Sequence, residues 1–477
     1  MQKTFFSLFF LFASLTMTAA TSYDVRDYGA KGDGQNLDSK AINAAIEDCA
    51  AHGGGRVTLS AGEYLSGSIR LKSHVELHLE AGAKIIATDQ AGAYDASEVF
   101  GFPEYQDGGH TYFHNSLIWA EGQTDVSITG RGMIDGRGLT RKDTETAGNV
   151  HGGSIGMGDK AIALKLCRNI LIRDITIFRG GHFAIIITGC DFATIDNVLI
   201  DTNRDGIDID CCKFTTVSNS KINSPNDDAL VLKSSYALKK PVICENILIT
   251  NCIVTGYKVG TVLDGTYIPE KVNWVCGRIK LGTESNGGYR NITITGCNCF
   301  YSSGLAFEEV DQGKMENIVV NNISMSHVHH YPIYITTGCR NRGPKERTDV
   351  STARDILISN VFADDCDSLS GIQITGMPGH PVENIWLSNI HIRYRGGITH
   401  PVDPNYPELD KKYPEIAKFL GTCPAYGLFA RHVKGLHLRD VSFRLDQPDV
   451  RPCILTSDVE DVQYDNVITP EGIFRPQ

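Results

Sequence analysis

Aspartates that recur at a fixed spacing are the first candidates for chemistry in this sequence. The segment Asn203-Arg204-Asp205-Gly206-Ile207-Asp208-Ile209-Asp210 is followed by the pair Asp227-Asp228, and Asp205 precedes Asp227 by 22 residues. Carboxylates held close together repel one another, so such a group persists where it binds a metal, contacts a cationic partner or performs acid/base chemistry. The segment therefore indicates a catalytic or binding site. Turn capping and an Asp-rich calcium site, to which Asp208 and Asp210 would contribute, are the alternatives.

A repeated segment explains this spacing. Each copy has an anchor residue, alternating β-branched residues, and an Asn or Asp seven positions after the anchor. The shortest steps between anchors are 22, 23 and 26 residues. The anchors are Cys167, Cys190, Cys212, Cys244, Met315, Ala353, Val382, Val433 and Val459. Alternation with period two and no helical pattern predicts a strand-forming unit, which buries its apolar face only by stacking on its neighbours.

The predicted fold class is all-β, a right-handed parallel β-helix in which one repeat forms one coil. The seventh-position Asn and Asp residues are expected to form a ladder at the ~4.8 Å spacing of strands. The segment Asp38 to His52 predicts an amphipathic helix, with Asp38 as its N-cap, that covers the N-terminal end of the coil. The 14 cysteines favour a buried thiol stack because several share anchor positions, with disulfides as the alternative.

The net charge and the N-terminal segment indicate what kind of protein contains this coil. The 477 residues include 45 Lys and Arg against 56 Asp and Glu, a net charge of −11 that argues against a nucleic-acid partner. Residues 1–20 resemble a secretory signal peptide, and no later stretch reaches the ~18 apolar residues of a membrane span. We expect a secreted or periplasmic monomer, with one domain over 21–477. Insertions are expected at about 257–276 and 396–427, and the second is expected to form a wall beside a groove.

The aspartate motif carries a resemblance to a known family. Asn203-x-Asp205, followed one coil later by Asp227-Asp228, resembles glycoside hydrolase family 28, the polygalacturonases and rhamnogalacturonan hydrolases. The segments YDVRDYGAKGDG and GGGRVTLSAGEY also resemble the first coils of pectin-degrading β-helices. The resemblance implies that Asp227 is the general acid and that Asp205 and Asp228 activate water. It implies inversion, with acid and base roughly 6.5 to 9.5 Å apart.

Two further roles follow from the resemblance. Asn203 is expected to orient an aspartate or bind the sugar. Lys233 matches a lysine that the family often has, and its alternative role is pairing with the carboxylates. We also expect the two neighbouring negative charges to raise the pKa of Asp227, as a general acid requires.

One departure from the family is a missing histidine. The family's Gly-His-Gly coil corresponds here to the segment Cys276-Gly277-Arg278-Ile279-Lys280-Leu281-Gly282-Thr283, which contains no His. His182 precedes the catalytic coil and is the candidate to replace it. A structural role for this lone histidine is the alternative.

A second departure concerns the cations. The family's Arg-x-Lys, which binds the galacturonate carboxylate, corresponds to Ala306 and Glu308, so Glu308 is expected to face the substrate in place of a cation. Arg278 and Lys280 reproduce the tripeptide one coil earlier and share a strand face. They are candidate substrate-binding cations, and salt bridges to Asp228 or Glu284 are the alternative.

These features predict an inverting glycosidase that acts on a pectic polysaccharide without a metal or other cofactor. A carboxylate at Glu308 disfavours unsubstituted polygalacturonate, so rhamnogalacturonan or a decorated pectin is the expected substrate. The insertions favour exo action, because they would turn an open groove into a pocket. Two alternatives stay open: a calcium-dependent lyase with Arg278 or Lys280 as base, and a noncatalytic carbohydrate-binding protein.

Overall fold

Parallel strands wind through the chain in successive coils. The computed structural model describes residues 22–98, 108–139, 156–271, 275–343, 346–403, 405, 408, 411, 413–414 and 421–475. The predicted signal peptide at 1–20 lies outside these residues. Nearly every strand pairs in parallel with a strand one coil away, which confirms the predicted parallel β-helix.

The strands follow one another with short turns between them. The first coils contain β1 (Ser22–Asp24), β2 (Asp33–Leu37), β3 (Gly55–Leu59), β4 (Gly62–Ser66), β5 (Ile69–Arg70), β6 (Val75–Leu79), β7 (Ala83–Ala87), β8 (Ile118–Glu121), β9 (Thr124–Gly130) and β10 (Met133–Asp135). The middle coils contain β11 (Ile162–Lys165), β12 (Arg168–Arg173), β13 (Thr176–Phe178), β14 (Phe183–Thr188), β15 (Asp191–Asp196), β16 (Leu199–Asp201), β17 (Asp205–Asp210), β18 (Lys213–Ser218), β19 (Lys221–Asn223), β20 (Leu230–Ser234), β21 (Cys244–Thr250), β22 (Ile253–Thr255), β23 (Ile279–Ser285), β24 (Tyr289–Thr295), β25 (Asn298–Phe300) and β26 (Ser303–Glu309). The last coils contain β27 (Lys314–Thr337), β28 (Thr352–Cys366), β29 (Ile372–Thr375), β30 (Val382–Gly396), β31 (Leu428–Gln447), β32 (Ile454–Thr469) and β33 (Gly472–Ile473).

One face of the coil is formed by β14, β17, β20, β23 and β26, which we call the site sheet. Its inward residues Ile207, Leu230, Ile279 and Leu305 are register partners and are fully buried. The same period-two pattern turns the alternate residues outward. Side chains from consecutive coils therefore meet on the outer surface of the site sheet.

The predicted polar ladder is present on the turns. Asn197 Nδ2 donates to Asp174 Oδ1 at 2.7 Å, and Asn389 Nδ2 donates to Asn360 Oδ1 at 2.8 Å. All four residues have positive φ, a left-handed conformation that Asn and Asp tolerate better than most residues. This backbone requirement explains why the seventh position of the repeat is Asn or Asp.

The predicted capping helix is α1 (Ser39–Ala51), which turns Ile42, Ala45, Ile46 and Cys49 toward the core. Asp38 does occupy the N-cap position, but the prediction that its side chain caps the helix is wrong. Its carboxylate instead accepts hydrogen bonds from the backbone N–H groups of Lys31 and Gly32, at 2.7 and 2.9 Å, because the preceding turn folds back onto it. Within the described ranges, no helix is long and apolar enough to cross a membrane.

The cysteines confirm the thiol stack. All 14 are free, and 13 of them are buried. The backbone N–H of Cys167 donates to Cys190 Sγ at 3.3 Å, and that of Cys190 donates to Cys212 Sγ at 3.4 Å. Equivalent anchors of adjacent coils therefore contact one another as thiols.

Candidate active site

Consecutive coils of the site sheet bring the aspartates together. Asp205 begins β17, and Asp228 lies two residues before β20. Ile207 and Leu230, each two positions after one of these aspartates, are register partners. The spacing of about one coil predicts that the aspartates lie on neighbouring rungs, and the strand register confirms this. The register step is 23 residues here, so Asp228, and not Asp227, is aligned with Asp205.

The carboxyl groups form a close cluster. Asp205, Asp208 and Asp228 are buried, whereas the side chain of Asp227 is 24% exposed. The backbone N–H of Asp228 donates to Asp205 Oδ1 at 3.2 Å and to Asp227 Oδ1 at 3.1 Å. Carboxylate oxygens of Asp227 and Asp228 lie within 4.8 Å of one another. This oxygen separation is shorter than the roughly 6.5 to 9.5 Å expected for an inverting pair.

Two buried cations hold Asp228 as an anion. Arg278 Nε lies 2.6 Å from Asp228 Oδ1, and Lys280 Nζ lies 3.4 Å from Asp228 Oδ2. The side chains of both cations are only 2% exposed. Burial alone would raise the pKa of Asp228, but Arg278 and Lys280 together hold it well below its ordinary value.

Glu308 is the second anion of this group. Its carboxylate lies 3.3 Å from Lys280 Nζ and 3.7 Å from Arg278 Nη1, and its side chain is fully buried. Arg278 Nη1 also donates to the Tyr331 hydroxyl at 2.6 Å. The salt-bridge arrangement considered for Arg278 and Lys280 is therefore present, with Asp228 and Glu308 as the partners.

Lys233 forms ion pairs with the other carboxylates near the site. Its Nζ lies 3.3 Å from Asp208 Oδ2, 3.5 Å from Asp205 Oδ2 and 3.4 Å from Glu284 Oε2. His110 Nε2 is 3.2 Å from the same Nζ. Burial opposes the charged ammonium, but these carboxylates raise the pKa of Lys233 well above its ordinary value. Lys233 therefore stays a cation, which matches its alternative role as a partner of the carboxylates.

The pKa values of the cluster are split, but not in the predicted way. Burial raises the pKa of both Asp205 and Asp208 well above the ordinary value, and the charge of a neighbouring carboxylate adds to it. Burial also opposes ionisation of Asp227, but Arg204 Nη2 lies 2.8 Å from its Oδ2 and lowers its pKa. The expectation that Asp227 has a raised pKa is therefore wrong. The pKa of Asp205 is raised and that of Asp227 is lowered, so Asp205 keeps its proton to higher pH than Asp227.

One group near the site has the donor atoms of a metal site. Oxygens of Asp227 and Asp228 and Cys276 Sγ lie within 4.8 Å of one another. Both carboxylates are already paired with guanidinium groups, Asp227 with Arg204 and Asp228 with Arg278. This charge pairing works against binding a cation there.

Asp210, considered above as a calcium ligand, has local partners. It accepts hydrogen bonds from the backbone N–H of Ser235 at 2.8 Å and from the Ser235 hydroxyl at 2.7 Å. Thr188 Oγ1 donates to it as well, at 3.2 Å. Asp210 thus satisfies polar groups of the adjoining turn.

Comparisons with known proteins agree with this arrangement. A family model described as rhamnogalacturonase A/epimerase, pectate lyase-like, matches residues 22–230. A probable polygalacturonase from Vitis vinifera is 29% identical over 229 residues, which cover 46% of this chain and 45% of that protein. An exopolygalacturonase from Platanus acerifolia is 22% identical over 400 residues, covering 80% of this chain and 92% of that protein. Among solved structures, the family 28 exopolygalacturonase of Yersinia enterocolitica matches with a TM-score of 0.70 and 18% identity, over 94% of this chain and 79% of that one.

The chain is similar to polygalacturonases, including those of glycoside hydrolase family 28, and has a parallel β-helix fold like theirs. It spans less than half the length of the Vitis vinifera relative that it matches.

In this family 28-like protein, His182 makes contacts outside the aspartate cluster. Its Nδ1 lies 3.2 Å from Asp159 Oδ2, and its ring stacks on Phe183 with a centroid separation of 4.1 Å. Lys160 Nζ and the Tyr112 hydroxyl contact the same Asp159 oxygen, at 3.0 and 2.9 Å. These contacts match the structural alternative considered for His182.

Asn203 lies at the edge of the cluster. Its Oδ1 accepts a hydrogen bond from Asn226 Nδ2 at 2.5 Å, and its backbone carbonyl accepts one from the Asn226 N–H at 3.3 Å. The two asparagines thus link the turns that precede Asp205 and Asp227. Asn203 holds one catalytic turn against the next.

Other segments contact the site sheet and the strand next to it. On one side, Phe113 packs with Ala163, Phe183 and Ile186 in an apolar cluster. On the other side, the hydroxyl of Tyr334, which lies on β27 next to the site sheet, donates to the Pro414 carbonyl at 2.6 Å. That the 396–427 insertion forms a wall stays a prediction.

Sequence patterns did not single out three residues of the site. Arg204 lies inside the Asn-x-Asp motif, so an Arg beside a predicted catalytic Asp was the available signal. Glu284 follows the Cys276–Thr283 segment and was considered only as a salt-bridge partner. His110 lies 123 residues before Lys233 in the chain, outside any repeat, so periodicity gave no signal for it.

Proposed function

We propose that this protein is a glycosidase that hydrolyses a pectic polysaccharide, with Asp227 as general acid and Asp205 and Asp228 as the carboxylates that activate water. The observation that carries the proposal is the cluster itself: the backbone N–H of Asp228 donates to both Asp205 Oδ1 and Asp227 Oδ1, and Arg278 Nε lies 2.6 Å from Asp228 Oδ1. Hydrolysis of a glycosidic bond requires one protonated and one ionised carboxyl group. The raised pKa of Asp205 and the lowered pKa of Asp228 favour such a pair here.

The split pKa values give each aspartate a role. Asp227 is the most exposed of the three and faces the incoming sugar. When substrate displaces Arg204, the cation that lowers the pKa of Asp227 is lost, and Asp227 takes up the proton that Asp205 gives up. Asp227 is then the acid, and Asp205 joins Asp228 as a base.

The proposed step balances in protons. The glycosidic C–O bond breaks as Asp227 gives its proton to the leaving oxygen. A water molecule attacks the anomeric carbon and loses a proton to Asp205 or Asp228. When Asp205 takes the proton of the water, the starting state with Asp205 protonated and Asp227 ionised is restored, and a proton taken by Asp228 restores it by transfer to Asp205.

The surroundings of the cluster support exo action on an acidic, decorated polymer. Tyr334, Gln373 and Phe429 are outward-facing residues of the coils beyond the site sheet, and all three are buried. A sheet covered in this way favours a pocket that accepts a chain end. Ala306 and Glu308 stand where the family has a pair of cations for the galacturonate carboxylate, which favours rhamnogalacturonan or a decorated pectin over plain polygalacturonate. The segment 1–20 supports action outside the cytoplasm.

A lyase is the less favoured function because its base would have to lose a proton. Burial and the Arg278 charge oppose the charged form of Lys280, but Asp228 and Glu308 raise its pKa well above the ordinary value. Lys280 is therefore a poor base near neutral pH, and Arg278 is a poorer one.

Digestion of a panel of pectic fractions and defined oligosaccharides tests the proposal. The wild-type protein should release new reducing ends, and Asp227→Asn should lower the rate by roughly 10²- to 10⁴-fold, the contribution of a general acid. Asp465→Asn is the matched control, since Asp465 is 75% exposed. Undiminished hydrolysis by Asp227→Asn would contradict the assignment. Unsaturated products absorbing in the ultraviolet would indicate a lyase, and binding without turnover would indicate a lectin-like protein.

A further inference from the structure

Two arginines after β27 lie beside the site sheet and take no part in the proposed mechanism. Arg340 is fixed by Asp311, whose Oδ1 accepts from its Nε at 3.0 Å and whose Oδ2 contacts its Nη2. The Thr283 carbonyl accepts a further hydrogen bond from Arg340 Nη2 at 2.8 Å. The backbone of Arg342 is anchored by the same carboxylate, since its N–H donates to Asp311 Oδ1 at 2.9 Å. One carboxylate thus positions both arginines.

Both guanidinium groups have an unused donor. Arg340 Nη1 and Arg342 Nη1 are buried and have no hydrogen-bond partner among the described residues. Within the same part of the chain, no carboxylate forms an ion pair with Arg342. A buried donor without a partner is costly, and the cost is removed when a ligand supplies the acceptor.

Positive charge is concentrated at this place. Lys280 Nζ, Arg340 Cζ and Arg342 Cζ all lie 5.7 to 5.8 Å from the centroid of the Tyr413 ring. Burial and repulsion by Arg340 lower the pKa of Arg342. An anion bound between these groups would relieve that repulsion.

The arginines are also close to the catalytic cluster. Glu284 Oε1 lies 3.6 Å from Arg340 Nη2, and Glu284 Oε2 lies 3.4 Å from Lys233 Nζ. Lys233 Nζ in turn lies 3.5 Å from Asp205 Oδ2. A sugar carboxylate at the arginines would therefore belong to a residue in or next to the cleavage position.

We propose that Arg340 and Arg342 form the subsite that binds the carboxylate of a uronic acid residue of the substrate, in place of cations on β26. The inference rests on the proposed function, because it assigns a substrate group to the same site. A planar guanidinium binds a carboxylate through two parallel N–H donors, and the two free Nη1 atoms are available for such contacts. A methyl-esterified uronate has no charge and gains little from this subsite.

Binding to an inactive variant tests the subsite without turnover. Calorimetric titration of Asp227→Asn with trigalacturonate and with its fully methyl-esterified form gives the reference affinities. Adding Arg342→Gln should weaken trigalacturonate binding by roughly 10- to 100-fold and leave binding of the ester within about twofold. Arg354→Gln is the matched control, because Arg354 is 53% exposed and pairs with Glu316 away from the site. Arg342→Lys keeps the positive charge but loses the planar guanidinium group. Its affinity for trigalacturonate should therefore lie between the reference affinity and that of Arg342→Gln.

Each outcome bears on one proposal. Equal loss for both ligands, no loss for trigalacturonate, or no trigalacturonate binding by Asp227→Asn would overturn the subsite. If the wild-type protein hydrolyses no pectic substrate but Arg342→Gln selectively weakens acidic ligands, the subsite stands and the glycosidase proposal fails. Thermal unfolding shows whether each variant is folded. If Arg342→Gln is not folded, the binding of the two ligands is compared with Arg342→Lys instead.

Discussion

Arg204 Nη2 lies 2.8 Å from Asp227 Oδ2, so the most exposed aspartate of the cluster is paired with a partly exposed cation. This cation lowers the pKa of Asp227, whereas burial raises the pKa of Asp205. In the proposed mechanism, substrate binding at Asp227 and the pKa of the general acid are therefore coupled through one guanidinium group.

The variant Arg204→Gln tests this coupling through the pH profile. Removing the cation removes the interaction that lowers the pKa of Asp227, so that pKa rises. A general acid loses activity as pH rises through its pKa, so the alkaline limb of the kcat/KM profile should move to higher pH. Arg204→Lys keeps the charge and should remain close to wild type. An alkaline limb that does not move in Arg204→Gln would show that Asp227 does not govern it.

Product stereochemistry tests the single-displacement mechanism. We expect the first-formed product to have the opposite anomeric configuration to the substrate, detected by proton NMR in the first minutes of digestion. The test is informative because the Asp227 and Asp228 oxygens lie within 4.8 Å in the ligand-free site, closer than inverting pairs usually are. A product with retained configuration would instead assign one of these carboxylates as a nucleophile.

The variant Glu308→Gln tests the buried charge network. It leaves the Asp228 carboxylate beside Arg278 and Lys280 but removes the Glu308 charge, and breaking a buried ion pair typically costs about 3 to 5 kcal/mol of unfolding free energy. Urea unfolding measures the loss. The double variant Lys280→Met/Glu308→Gln should lose less than the sum of its single variants, because the uncompensated charge is removed.

A control residue separates this effect from a general loss of charge. Glu460 is 69% exposed, so Glu460→Gln should change the unfolding free energy by less than about 1 kcal/mol. Equal losses for Glu308→Gln and Glu460→Gln, or strict additivity in the double variant, would contradict the network.

The variant Asp208→Asn tests the raised pKa of Asp208. Its pKa is raised in the folded protein by burial, so its contribution to stability is present below the unfolded-state pKa of about 4 and is lost as pH rises through the folded-state pKa. Asparagine at this position does not titrate, so its contribution to stability does not change with pH. Relative to wild type, the variant should therefore become more stable as pH rises, as measured by urea unfolding at several pH values from 4 to 8. A difference that is independent of pH, as expected for Asp465→Asn, would contradict the raised pKa.

Periodicity explains what sequence alone could predict. The repeat fixes the rung spacing, so the stacking of Asp205 with Asp227 and Asp228, and the ladder that includes Asn197 and Asn389, follow from residue numbers. The same regularity predicts the buried thiols. These features depend on local backbone pairing, which the pattern specifies directly.

Features built by the turns and long insertions could not be predicted in this way. The pairing of Arg204 with Asp227 reverses the expected pKa, because a single turn residue outweighs the neighbouring carboxylates. Arg342 and Tyr413 meet although they lie 71 positions apart in the sequence, outside the repeat. Such contacts depend on how an excursion folds back onto the coil, and no periodic signal encodes that.

The thiol stack has a consequence for how the chain matures. Burial raises the pKa of Cys190 and Cys211 well above the ordinary value, so few thiolates are available for disulfide exchange once a coil has closed. In an oxidising compartment, protection of the thiols therefore depends on the order of events. A coil that closes before it meets an oxidant keeps its cysteines reduced, whereas a slow chain is diverted into mispaired bridges. Speed of folding, rather than an oxidative catalyst, would then decide the yield of native protein.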